Sequence, residues 1–100
     1  MLFAIHCLDK PGTEALRHAA QDAHAAYMRA QAGRIVFGGP LLADDGATRV
    51  GTLVVVDLPS RAELDAFLDA EPYRRAGLFD RCEVHPYQRV VQDGQFAPLS

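Results

Sequence analysis

The sequence predicts an α+β fold, a ferredoxin-like βαββαβ sandwich in which one four-stranded antiparallel sheet carries both helices on one face. Three observations lead there. Strand-like and helix-like runs follow one another in the order β-α-β-β-α-β between residues 2 and 91. The second and third strand-like runs are separated only by a short turn at Asp44-Asp45-Gly46, so they should pair as a hairpin. The first run, Leu2 to Leu8, is apolar on both of its alternating faces, which suits a central strand covered on two sides.

Each element has its own signal. The first strand stops at Asp9-Lys10-Pro11-Gly12, where proline and glycine mark a turn. Thr13 to Ala32 reads as a long alanine-rich helix, with Thr13 placed as its N-cap and Gly33 placed to end it with a left-handed backbone. At the helical period, Leu16, Ala19, Ala20, Ala23, Tyr27 and Ala30 gather into a stripe that should face the sheet. His18, Asp22 and Arg29 point the other way, and His24 falls on the border. Arg34 to Leu42 is the second strand, with Gly38-Gly39-Pro40 near its end, and Val50 to Asp57 is the third. Ser60 and Glu63 form a capping box that opens a second helix, whose inner face is Leu64, Phe67 and Leu68. Pro72 ends that helix at Glu71 and suits the first position of a short helical turn reaching Leu78. The last strand runs from Arg81 to Val91, and Pro86 within it suits an edge. The chain is thus expected to be a single domain, 1–100, with a core over 1–91 and a tail, 92–100, that is loose or swaps onto a partner.

Composition narrows the function classes. The 100 residues are 49% apolar and 23% charged, with 8 glycines and 6 prolines, which are globular proportions. No apolar run approaches the ~20 residues that span a bilayer. The opening MLFAIHCLDK has no basic leader and reads as a strand rather than a signal peptide. A net charge of −3 with both signs dispersed excludes the basic stripe of a nucleic-acid binder. Cys7 and Cys82 are too few for a disulfide framework or a four-cysteine zinc site. Both lie in apolar runs, so they read as small buried hydrophobes, and the expected compartment is a reducing cytoplasm. A sheet with helices on one face leaves apolar residues on the other, and a homodimer packed sheet to sheet would cover them.

No phosphate loop, metalloprotease, thiol-redox or serine-hydrolase motif occurs. Gly38-Gly39-Pro40 is not a phosphate loop, because Pro40 removes an amide. The four histidines have no metal-ligand spacing, so no metal is expected. On the residues alone, His24 reads as a solvated or capped helix side chain and His6 as a satisfied core residue. Glu71 reads as a carboxylate near the amides of the next helical turn.

Several stretches together resemble the YciI-like (YCII-related) family of the dimeric α+β barrel superfamily. They are DKPG at 9–12, AHAAYMRAQAGRI from Ala23 to Ile35, GGPLL at 38–42, the glycine before VVVD, and EPYRRAGLFDRCEVHPY from Glu71 to Tyr87. The family pattern joins a helical histidine, a strand-end Gly-Pro and an Asp-Pro-Tyr or Asp-Pro-Phe after the second helix. His24, Gly39-Pro40 and Glu71-Pro72-Tyr73 stand at those positions, with Glu71 in place of the aspartate. The resemblance implies that His24 and Glu71 form a catalytic pair. Gly39, Pro40, Tyr73 and Asp9 are the candidate substrate-binding residues, Tyr73 and Asp9 because they border segments that converge at one end of such a sandwich. Tyr27 is expected to pack against the sheet.

An imidazole can take and give a proton near neutral pH, and a carboxylate on its other nitrogen fixes the tautomer. The expected function is therefore acid/base chemistry without metal or organic cofactor. The resemblance implies lyase, isomerase or dehydrochlorinase-like reactions on a small cyclic or quinone-like substrate. The competing expectations are a non-catalytic module that binds a small metabolite in the same cleft, and a plain structural dimer.

Overall fold

The structure, a computed structural model, describes residues 1–97. Its elements are β1 (Leu2–Asp9), α1 (Glu14–Ala30), β2 (Ile35–Leu42), β3 (Arg49–Asp57), α2 (Arg61–Ala70), α3 (Pro72–Arg75) and β4 (Phe79–Tyr87). A small hairpin of β5 (Val91–Gln92) and β6 (Gln95–Phe96) follows. The main sheet has the order β2-β3-β1-β4 with every pair antiparallel. This is the ferredoxin-like α+β sandwich that the order of the runs predicts. β1 is central, and the two prolines Pro40 and Pro86 both sit on edge strands, where a missing amide breaks no interior ladder.

The core lies between the sheet and the helices. Phe3, Ile5 and Cys7 of β1 and Val54 and Val56 of β3 pack against Leu64, Phe67 and Leu68 of α2, with Tyr27 and Met28 of α1 closing the side. The α2 inner face is the expected one. Its cap forms as the sequence indicates on one side only: the Glu63 amide donates to the Ser60 hydroxyl at 3.2 Å, while the Glu63 carboxylate turns outward to Arg34. On the reverse face of the sheet Leu8, Phe37, Leu53 and Tyr87 are exposed side chains, so an apolar patch stands uncovered in the single chain. No helix among the described residues is long and apolar enough to cross a membrane.

Five expectations are corrected. The inner face of α1 is Arg17, Ala20, His24, Tyr27 and Met28, whereas Leu16, Ala19, Ala23 and Ala30 are exposed. Alanine on every side of this helix gives a weak apolar bias, and inward polar groups with waiting partners decide its rotation. Gly33 has no left-handed backbone: α1 ends at Ala30 and the chain passes into a 3₁₀ turn over Ala32–Arg34, closed by the Arg34 amide on the Gln31 carbonyl at 2.8 Å. His6 is exposed on the open sheet face, between Leu53 and Glu83, and is not a core residue. Cys7 and Cys82 are not free thiols but a cross-strand disulfide, because the β1–β4 register sets them directly opposite one another with Cα atoms 4.1 Å apart. Finally, β4 starts and ends earlier than expected, and the tail over 91–96 is a hairpin turned by Asp93 and Gly94, both at positive φ. The end of the tail, 98–100, lies outside the described residues.

Candidate functional site

Glu71 stands between two helices because Pro72 lacks the amide that would continue α2. Its backbone is extended (φ −72°, ψ 124°), as expected before proline. From there the carboxylate caps α3, accepting hydrogen bonds from the Tyr73 amide at 3.1 Å and the Arg74 amide at 3.0 Å. The same Oε1 lies 2.5 Å from His24 Nδ1. Both the helix-capping reading of Glu71 and the histidine partnership are therefore present in one side chain, and the extra methylene relative to aspartate does not prevent the contact. An ionised carboxylate only accepts, so Nδ1 donates and Nε2 is the ring nitrogen left without a protein partner among the described residues.

Packing holds the imidazole plane. The His24 ring stacks on Tyr73 at 3.9 Å and 14°, and Tyr73 is itself buried, edge-on to Phe79. Tyr27, expected to pack against the sheet, packs its ring against Phe67 of α2 and donates its hydroxyl to the Phe67 carbonyl at 2.8 Å. Burial, and then the charge on Glu71, push the Tyr27 phenol up from its ordinary value.

Arg17 is the residue the sequence reading missed. It is the one buried residue of α1, and its Nε and Nη2 donate to the two Asp9 carboxylate oxygens at 2.7 and 3.1 Å. Nη2 also reaches the Gly51 carbonyl at 3.0 Å and the Thr52 hydroxyl at 3.3 Å, and the guanidinium packs over the Tyr73 ring at 4.6 Å. Burial works against the charge on Arg17, but the hydrogen bonds and attraction from Asp9 outweigh it, so its pKa is raised. A signal for Arg17 existed: it precedes His24 by two helical turns and so shares its face.

These groups border a cleft of about 190 Å³. Its walls are Gly38, Gly39 and Pro40 of β2, Thr52 and Val54 of β3, Arg17, His24 and Met28 of α1, and Tyr73, with Arg49 at the start of β3. Gly38 is needed there, since a Cβ would come within 2.8 Å of the Val54 side chain, whereas a Cβ on Gly39 would meet nothing. Of the six residues proposed from sequence, the structure brings His24, Gly39, Pro40 and Tyr73 to this cleft, with Glu71 behind the imidazole. Asp9 does not line it. Its carboxylate is occupied by Arg17 and faces a neighbouring depression, so Asp9 enters the site only through the arginine it holds. Among the described residues there is no cluster of three or more metal-ligating side chains.

Fold and cleft together define a small ferredoxin-like α+β protein with a histidine–carboxylate contact at the edge of a cleft of about 190 Å³. The YCII-related domain matches residues 1–88, and the chain belongs to the YCII-related family. It is 31% identical over 97 residues to Protein YciI of Escherichia coli and of Shigella flexneri, an alignment covering 90% of this chain and 99% of each relative. Among solved structures it is similar to the 5-chloro-2-hydroxyhydroquinone dehydrochlorinase TftG of Burkholderia phenoliruptrix in complex with 2,5-dihydroxybenzoquinone. That likeness has 30% identity and a TM-score of 0.82, over 88% of this chain and 94% of the other. Rv0793 of Mycobacterium tuberculosis, at 17% identity and a TM-score of 0.50 over 90% of this chain and 97% of that one, shares the fold alone.

Proposed function

We propose that this protein is a cofactor-independent enzyme that moves protons on a small cyclic, quinone-like substrate, with His24 as general acid/base and Glu71 as its positioning partner. The observation that carries the reading is the 2.5 Å contact between His24 Nδ1 and Glu71 Oε1 at the edge of a cleft. Nε2 takes a proton from a substrate O–H or C–H. Glu71 stabilises the imidazolium that forms, and the proton returns at another position or balances the loss of an anionic leaving group. Gly39, Pro40 and Tyr73 shape the ring's berth. The cleft volume suits one substituted ring, since a cavity of about 150 Å³ accepts benzene. The dehydrochlorinase activity of the structural neighbour TftG supports the same reaction class.

The test is turnover of hydroxyquinones, 5-chloro-2-hydroxyhydroquinone among them, by the native chain, His24→Asn and Glu71→Gln. Loss of a general acid/base should lower kcat by ~10²–10⁴-fold in His24→Asn. Glu71→Gln should lose activity too, and because it also weakens the α3 cap its melting temperature must be followed in parallel. Equal rates in the native chain and His24→Asn would remove the catalytic role. A second reading, a non-catalytic binding dimer, has one observation in its favour: the two amide bonds to Glu71 account for that carboxylate without any chemistry. Under it, ligand binds and His24→Asn weakens binding with no turnover to lose.

The open sheet face is the basis for a homodimer. Leu8, Phe37, Leu53 and Tyr87 stand exposed on it, and a four-stranded sheet supplies enough area for an interface of ~1,600 Å² in total. Light scattering at micromolar concentration should give twice the chain mass of 10.9 kDa. Phe37→Lys should shift that mass toward the single chain. A native mass equal to one chain would end the dimer proposal.

A further inference from the structure

Arg49 differs from every other charged group around the cleft. Arg17 is held by Asp9, Gly51 and Thr52 through Nε and Nη2, so its charge is already balanced by a carboxylate within the fold. Arg49 is exposed at the start of β3 and takes part in none of the ion pairs or side-chain hydrogen bonds formed by the described residues. It nevertheless borders the His24 cleft, and it also borders the adjoining depression of about 270 Å³ with Arg17, His18 and Glu14. No carboxylate lines the His24 cleft, whereas two guanidiniums do. Glu14 borders the second depression, and Arg49 also borders a third with Glu14, Lys10 and Asp9, whose carboxylate is held by Arg17.

An unpaired guanidinium at the rim of a cleft whose other guanidinium, Arg17, is already paired with Asp9 is a recognition group for an anion, since its planar donors match a carboxylate two-to-two. We propose that Arg49 makes the cleft selective for a cyclic substrate bearing a carboxylate, with the ring against His24 and Tyr73 and the acid group directed to the start of β3. Within the quinone-like class, the preferred substrate is then a hydroxylated ring that also carries a carboxylate. This rests on the acid/base reading of His24 for the ring's placement and adds the chemistry at the far end of the same cleft.

The experiment uses hydroquinone and 2,5-dihydroxybenzoate, which differ by one carboxylate. Calorimetric binding to the native protein should favour the acid by tenfold or more, and the preference should fall as salt is raised. In Arg49→Gln the two compounds should bind alike. Arg49→Lys should keep an intermediate preference, because a point charge remains and the fork is lost. Arg49 is exposed, so an unchanged melting temperature in both variants is expected and checks that the fold is intact. An acid preference that survives in Arg49→Gln overturns the inference, as does equal binding of the two compounds, or binding of neither, by the native protein. The two readings fail separately: loss of the acid preference with full His24 dependence of turnover sinks only the Arg49 role. A His24→Asn variant as active as the native chain, with the acid preference intact, sinks only the acid/base role.

Discussion

At Glu71 one carboxylate caps a four-residue helix and holds an imidazole, and the two contacts were legible to different degrees. The cap followed from Pro72 alone, because proline ends α2 and leaves the next amides open. The contact with His24 spans 47 positions and came only through the family resemblance. Arg17 was hidden because a charged residue on a helix is ordinarily placed in solvent, and its partner Asp9 sits on a strand whose direction the sequence does not state. Asp45 carries the clearest electrostatic effect at this scale. Its carboxylate accepts from the Thr48 hydroxyl at 2.6 Å and from the Ala47 and Thr48 amides at 2.9 Å each, and these bonds lower its pKa to about 2. A pKa depressed by folding contributes stability above the ordinary carboxylate value, and that contribution disappears as pH falls through the folded one. Between pH ~4 and ~2 the native chain should therefore lose stability faster than Asp45→Asn. Urea midpoints across that window measure it, and parallel curves would show that the turn bonds do not matter.

The elements were legible in order and kind because each carried a period, a cap or a breaker of its own. What escaped was rotation and termination. The rotation of α1 depends on partners that come from β1, β3 and the α2–α3 junction, and no local period reports them. Its end depends on whether the last turn tightens into a 3₁₀ turn or flips to a left-handed residue, and Gly33 suits either. Two glycines now separate in their expected roles. Gly33 has ordinary φ and open space around its Cβ position, so Gly33→Ala should stabilise by about 0.5 kcal/mol through the unfolded chain. Gly51 lies on β3 opposite Leu8 of β1, where a Cβ would collide with the Cys7 carbonyl oxygen, so Gly51→Ala should cost ~1–3 kcal/mol. In a domain of this size, 1 kcal/mol is ~4–8 °C in melting temperature, so one thermal scan separates the two variants. A lowered melting temperature for Gly33→Ala would mean that the turn needs glycine after all.

For the whole molecule the sheet order was readable from the βαββαβ sequence of elements, but the Cys7–Cys82 bond was not, since the cysteines are 75 positions apart and only the β1–β4 register makes them neighbours. A bond closing so long a loop removes much of the unfolded chain's freedom and stabilises by ~4 kcal/mol on loop entropy, with the measured effect often smaller. Reductant should accordingly lower the melting temperature while the far-ultraviolet spectrum at 25 °C is unchanged, because Cys7 packs in a core that the helices already cover. A melting temperature indifferent to reductant would mean that the bond contributes nothing. The bond also changes what kind of object the chain is. From Cys7 to Cys82 the backbone is a closed ring, with a six-residue lead and a C-terminal tail hanging from one joint. A protease that cuts the exposed Asp44-Asp45-Gly46 turn opens that ring without releasing anything, so the α1–β2 half and the β3–α2 half stay tethered and can re-form their shared sheet.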